Sequence, residues 1–493
     1  MIAVHVEAVA GTAGTPASAR SALASLSLSM LLSSLGTSIA NVGLPALTQA
    51  FDASFEEVQW VVLAYLLAIT TLIVSVGRLG DITGRRRLLL TGILVFTVAS
   101  LLCGVAPTLP LLIAARGAQG LGAAIMMALT VAFVGETVPK ARTGSAMGLL
   151  GTMSAIGTAI GPSLGGVLIA GPGWRAIFLV TVPLGILAFL LAHRYLPADR
   201  PGPKADRAGL DPVGTLLLAL TLAAYALAVT VRHDAGHGSF GPLNAALLLA
   251  AVLGLGLFVL AEARAASPLI QVAMVRDPVL GASLATNAVA STVMMSTLVV
   301  GPFYLSRALG LDAALVGLVL SVGPLVVALT AVPAGRIADR FGRQRIVTAG
   351  LIGMATGSLM LSMLPATLGI PGYVASITVV TAGYALFQTA NNTAVMADVR
   401  PDQRGVISGM LNLSRNLGLI TGASVMGAVF AAAAPATGIT TARPEAVAAG
   451  MRITFAVAAA LAVVALAIVA GAYRRIRRHR ELPPEAVNQP GIS

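Results

Sequence analysis

The chain of 493 residues is 57% hydrophobic and only 10% charged, with a mean hydropathy of +0.91, whereas a soluble domain is about a quarter charged and under half apolar. That balance excludes an ordinary soluble enzyme or binding module and requires a lipid-facing surface. The formal charge of +12 does not point to nucleic acid, because the basic residues fall in short clusters between apolar runs, the pattern of topology signals.

Residues 1–20 are rich in Ala, Gly, Thr and Ser, with Arg20 as the one strong positive charge, and read as a disordered tail rather than a signal-peptide n-region. Apolar runs then follow near residues 22–43, 58–78, 88–106, 109–134, 144–169 and 176–193. Each is about 20 residues or longer, enough to cross ~30 Å of hydrocarbon as a helix. A polar linker at 194–211 interrupts them, and two further runs lie near 212–231 and 242–262. Six more fall near 279–303, 312–335, 346–364, 371–397, 405–433 and 452–473. The predicted fold class is an all-α polytopic membrane protein with 14 transmembrane helices, organised as a disordered tail (1–20), a six-helix bundle (21–193), a linker (194–211), two inserted helices (212–262), a second six-helix bundle (279–473) and a basic, disordered tail (474–493). The single cysteine, Cys103, lies inside an apolar run and reads as a buried free thiol.

An internal repeat supports two matched bundles. Gly77-Arg78-Leu79-Gly80-Asp81-Ile82-Thr83-Gly84-Arg85-Arg86-Arg87 returns as Gly335-Arg336-Ile337-Ala338-Asp339-Arg340-Phe341-Gly342-Arg343-Gln344-Arg345, about 260 residues further on. Glu136 to Arg142 is answered by Asp398 to Arg404 at a similar offset. In these loops glycines let two helix ends approach, Asp81 can cap a helix or pair with an arginine, and the arginines hold the loop on one side. A solvated basic loop is the plain alternative, weakened by the second copy. An even helix count puts both termini on one face, and the dense basic loops make that face cytoplasmic.

The loop spacing resembles the signature of the major facilitator superfamily, with Gly77, Asp81, Gly84, Arg85 and Arg86 in the first copy and Gly335, Asp339, Gly342 and Arg343 in the second. Arg116, Gln119, Gly120, Gly122 and Ala123 resemble its fourth-helix motif, and Gly157, Gly161, Pro162, Gly165 and Gly166 its fifth-helix motif, which in the family marks exporters. Trp174-Arg175-Ala176-Ile177-Phe178 with Pro183 and Gly185 looks like the entry to helix six, with Thr181 where Asn is usual. Fourteen helices as six, two and six resemble the DHA2-like branch of drug:proton antiporters. The resemblance implies the major facilitator fold, with a substrate site near the midplane between two rocking bundles. It further implies secondary active efflux of drug-like or metabolite small molecules, with protons and the lipid bilayer as partners, no cofactor and no metal, by a monomer. Ala, Gly and Arg usage is that of a GC-rich bacterial genome, so the cytoplasmic membrane is the expected location.

Candidate site residues follow from charge and polarity at membrane depth. Arg116 lies within helix four with Gln119 on its face, either a functional charge or a hydrogen-bond anchor; the resemblance implicates it in proton coupling, with Asp81 and Glu136 as further candidates. Arg415, flanked by Asn412 and Asn416, aligns with Ser154 of the first half, while Ala423 stands where the first half has Pro162. For Arg415 a structural anchor and a substrate contact are both open. Ser38 and Asn41 belong to a polar stripe on helix one, and Gln388, Asn391 and Asn392 form another on helix twelve; both read as cavity lining or interhelical hydrogen bonds. Tyr65 is a cavity candidate, and Trp60 suits an interfacial belt equally. The glycines at 157, 161 and 165 form a packing face that Pro162 can bend.

Gly36 departs from the branch pattern, which has an acid there. No Asp or Glu lies near the centre of any predicted helix, so the proton carrier has no clear owner and the two deep arginines set a positive potential favouring anionic or neutral substrates. A dedicated exporter of one endogenous anionic or neutral metabolite, without proton coupling, is the alternative. A membrane enzyme is disfavoured, since the chain has five His and no H-E-x-x-H pattern.

Overall fold

A computed structural model describes residues 16–137, 143–199, 211–230, 241–265, 277–397, 404–433 and 443–481. Among these the regular structure is helical throughout, and fourteen helices are long and apolar enough to span a bilayer. They are α1 (Pro16–Phe51), α2 (Phe55–Thr83), α3 (Arg85–Val105), α4 (Leu109–Thr137), α5 (Thr143–Ala170), α6 (Ala176–Tyr195, in two pieces meeting at Val180), α7 (Pro212–Thr230) and α8 (Pro242–Arg264). The second half adds α9 (Pro278–Ala308), α10 (Ala313–Phe341), α11 (Arg343–Ser362), α12 (Gly369–Ala397), α13 (404–433) and α14 (Pro444–Glu481). Both expected tails give up residues to helices. The first helix takes in residues 16–20 of the expected tail, and α14 continues to Glu481, into the run assigned to the second tail.

Packing repeats between the halves. Helix α1 lies on α5 and α6, α4 on α2 and α3, and α3 on α6; in the same relation α9 lies on α13 and α14, α12 on α10 and α11, and α11 on α14. The signature loops repeat in detail. Gly84 and Gly342 have φ of 95° and 91°, in the left-handed range that glycine adopts without steric cost. Their amides bond back to Gly80 O at 2.9 Å and Ala338 O at 3.0 Å. The chain therefore turns from α2 into α3, and from α10 into α11, in one residue. The membrane end holding these turns is called here the motif end, and the opposite one the far end.

The halves meet along two seams that the internal two-fold exchanges, α5 with α10 and α2 with α13. Ser54 caps α2 and Asp312 caps α10, and the residue five places beyond each cap faces the other half. On α10 that residue is Gly317, where a Cβ would strike the Pro162 carbonyl and stand 2.9 Å from Gly166 Cα. On α2 it is Gln59, whose Nε2 donates to the Ala423 carbonyl. Residues 422–426 of α13 form a π turn, a geometry that interrupts the regular helical ladder, and Ala423 lies within it. Phe55, Phe303 and Phe430 close the far end around this contact, with ring centroids 5.0 to 6.2 Å apart.

The inserted pair α7 and α8 packs as a hairpin, and α7 touches both halves. Thr215 Oγ1 lies 2.7 Å from Ser75 Oγ on α2, and the Tyr225 hydroxyl donates to Thr421 Oγ1 on α13 at 3.1 Å. Helix α8 turns Leu249, Val252, Leu253, Leu255 and Leu257 outward, as a lipid-facing helix does.

Candidate functional site

The first bundle is knotted at Arg116, which is fully buried. Its Nε donates to Val61 O at 2.8 Å, one terminal nitrogen to Gln119 Oε1 at 2.5 Å, and the other to Gly36 O at 3.1 Å. The guanidinium carbon sits 4.1 Å from the centre of the Tyr65 ring, a cation–π contact in a dry setting. Gln119 passes the chain on to Ser100 Oγ at 2.7 Å, and the Tyr65 hydroxyl donates to Ser33 O at 2.7 Å. A buried arginine is tolerated when its donors meet carbonyls and its charge meets an aromatic face; α1, α2 and α4 supply those partners, and α3 joins the network through Ser100.

Gly36 fits the same knot. A Cβ there would lie 2.8 Å from the Tyr65 hydroxyl oxygen and 3.3 Å from the ring carbon bearing it. The space that a helix-one acid would need is therefore filled by tyrosine. Tyr65 and Gln119 are completely enclosed in this network.

Helix α1 meets α5 along the exporter-type motif. Cβ atoms on Gly157, Gly161 and Gly165 would each strike α1, at Leu31 and Leu35, at Ser38 and Ile39, and at Val42 and Ile39. Ser38 is held inside this contact by bonds to Leu35 O and Gly157 O at 3.3 and 3.2 Å, and Ser34 meets Ser154 at 2.6 Å. Asn41 donates to Thr37 O at 2.9 Å, while its Oδ1 is buried without a partner.

The second bundle is less satisfied. Gln388 Oε1, Asn391 Nδ2 and Asn392 Oδ1 on α12 are buried without hydrogen bonds, as are Asn287 Oδ1 and Ser291 Oγ on α9. Arg415 is half-buried and Asn416 buried on α13, and Asn412 is partnered. The expected sites thus separate into a closed knot in the first half (Arg116, Gln119, Tyr65), a packing seam (Ser38) and polar groups left open in the second half, with Asn41 between. The side chains of Asp81, Glu136 and Asp339 lie outside the described residues.

Three features were invisible in the sequence reading. Asp199, in the linker, accepts from the Arg86 and Arg87 amides at 2.7 and 3.2 Å, capping α3 where Gly84 begins it, and the Arg86 guanidinium reaches His193 O. Gln59, near the start of α2, reaches the Ala423 carbonyl of the other half. Glu262, two residues from the end of α8, is buried with its carboxylate facing Gly214 beside that of Asp211. A hydropathy trace carries no signal for contacts this distant in sequence.

The profile of the Major Facilitator Superfamily matches residues 26–423. The chain is 32% identical over 419 residues to Multidrug resistance protein Stp of Mycobacterium tuberculosis, covering 83% of this chain and 75% of that one. It is 31% identical over 405 residues to the uncharacterized transporter YebQ of Escherichia coli (82% and 88% covered) and 28% identical over 404 residues to the riboflavin transporter RibZ of Clostridioides difficile (82% and 86%). In fold it is similar to a bacterial homologue of the human lysosomal transporter Spinster in an inward-facing, occupied conformation, with a TM-score of 0.71 at 16% identity over 96% of this chain and 100% of that one.

Proposed function

The chain belongs to the major facilitator superfamily, and from that premise we propose that it exports drug-like or metabolite small molecules across a bacterial cytoplasmic membrane by alternating access, in the manner of the DHA2-like branch. The protein is a multi-pass membrane transporter, not an enzyme. In this reading it acts as a monomer with both termini cytoplasmic, so the motif end faces the cytoplasm and the far end the outside. The observation that carries export is the placement of the fifth-helix motif. Its three glycines seat α5 on α1 and its Pro162 carbonyl lies on Gly317 across the seam, so a single helix joins the first bundle's interior to the surface on which the halves rock. Relatives named as multidrug resistance proteins support the same direction of transport.

Proton antiport is the proposed energy source, with Arg116, Asp81 and Glu136 as candidate participants. The carrier is not an acid at position 36, because Gly36 and Tyr65 occupy that place. A second reading, export of one endogenous anionic or neutral metabolite without proton coupling, is favoured by Arg415, a deep charge with no acidic partner among the described residues.

Acidified inverted vesicles test both readings. A neutral or anionic compound that dequenches a pH-sensitive dye with wild type and not with Arg116→Ala, both shown to be folded and inserted, supports antiport. Strong dequenching by ethidium, a lipophilic cation, contradicts the expected charge preference. Export of a compound without dequenching supports the second reading.

A further inference from the structure

Of the two deep arginines, Arg116 spends its donors on Val61, Gln119 and Gly36 and lies over Tyr65. Arg415 is half-buried and makes no hydrogen bond, ion pair or ring contact with any described residue. The internal two-fold shows what surrounds it. Gly157 of α5 packs on Leu31 and Ser34 of α1, and Gly418 of α13 packs on Ala288 and Ser291 of α9. In the first half Ser34 bonds to Ser154, one turn before Gly157. In the second half Arg415 takes the place of Ser154, one turn before Gly418, and Ser291 Oγ is left fully buried and unpaired. One turn nearer the motif end, Asn287 gives its Nδ2 to Leu411 O at 3.0 Å and keeps an unpaired Oδ1.

Helix α12 brings further groups to this depth. Its Val395 and Met396 pack with Ile407, Met410 and Leu411 of the antiparallel α13, sealing the bundle toward the motif end. One turn beyond that seal, Asn391 and Asn392 come level with Ser414 and Arg415. Asn391 is 3% exposed with Nδ2 unpaired, and Asn392 Oδ1 and Gln388 Oε1 are unpaired as well. Unpaired amides around an unpaired guanidinium at membrane depth are costly unless a ligand or cavity water meets them.

We propose that Arg415, with Ser291 and Asn287 on one side and the α12 amides on the other, is an oxyanion subsite that receives the carboxylate of an amphiphilic organic acid. The planar guanidinium matches both carboxylate oxygens at once. The amides hold hydroxyl, carbonyl or N–H groups next to that carboxylate, and the apolar body of the ligand extends along the bundle. This deepens the export reading and rests on it for the claim that the ligand is cargo.

Full-length protein in lipid nanodiscs tests the assignment with a matched pair of probes, pyrenebutyrate and pyrenebutanol, read by energy transfer from Trp60 and Trp174, the two tryptophans of the chain. Arg415→Gln is expected to weaken saturable pyrenebutyrate binding by roughly tenfold while pyrenebutanol changes less than about twofold, because one charge-assisted bidentate contact is lost. Arg415→Lys keeps the charge without the fork and is expected to fall between. Equal loss of both probes means a packing role and overturns the proposal, as does an unchanged preference for the acid. Wild type that binds pyrenebutanol but not pyrenebutyrate overturns it too, while leaving the export reading in place. Export measured in inverted vesicles from the same cells tests that reading by itself.

Discussion

The hydroxyl of Tyr65 takes the room that any side chain at position 36 would need. Gly36→Ala is therefore expected to destabilise the protein by about 1–3 kcal/mol, the usual cost of overpacking, seen as a lower unfolding temperature in detergent. Tyr65→Phe removes the atom nearest the new methyl and also the bond to Ser33 O, a loss of about 1 kcal/mol. The double variant should cost less than the sum of the two, whereas strict additivity would mean that the two positions do not meet. The sequence shows Gly36 as a missing acid, and it marks Tyr65 as a cavity residue. Only the contact between them, from helices that the sequence places side by side without saying which faces touch, gives the glycine its reason. Arg116 and Gln119 were legible as a pair by their spacing, but their enclosure depends on carbonyls of α1 and α2 that no motif records.

Helices α5 and α13 occupy equivalent places and solve the same problem differently. Helix α5 carries Pro162 and presents its carbonyl to a glycine; α13 has Ala423 there, inside a π turn, and presents its carbonyl to Gln59. One seam is closed by backbone contact, the other by one side-chain hydrogen bond and three phenylalanines. Gly317→Ala is expected to force α5 and α10 apart, because its Cβ meets backbone that cannot rotate away. Gln59→Leu should loosen the far end more mildly, by about 1 kcal/mol or roughly fivefold in population. Spin labels at Asp52→Cys and Leu315→Cys, on a Cys103→Ser background, report the result. Longer distances for both variants, larger for Gly317→Ala, are expected; a wild-type distance distribution in Gly317→Ala would show that this contact does not hold the far end shut. The apolar runs made these helices readable from the sequence, with boundaries within a few residues. The π turn was not readable, since Gly422 to Met426 has the composition of any small-residue helix.

Across the whole molecule, the duplication read from two loops extends to every helix of the two bundles, down to the matching φ of Gly84 and Gly342. The inserted hairpin breaks that symmetry. Since α7 is tied to α2 by Ser75 and Thr215 and to α13 by Tyr225 and Thr421, it cannot keep both ties while the halves rock. A bifunctional thiol cross-linker is expected to leave export intact when it joins Ser75→Cys to Thr215→Cys, and to stop it when it joins Tyr225→Cys to Thr421→Cys; the reverse result would mean that the hairpin travels with the second half. The sequence counted these two helices but could not place them, because an even, lipid-like apolar run has no preferred neighbour. Their position also gives the transporter two unlike flanks in the plane of the bilayer. Along the α2 and α13 flank, α7 stands between the seam and the acyl chains, whereas the α5 and α10 flank has no inserted helix laid over it. A solute that partitions into the leaflet and drifts sideways thus meets a shielded wall on one side and a bare seam on the other, so capture from lipid has a handedness that the two-fold bundle alone would not give it.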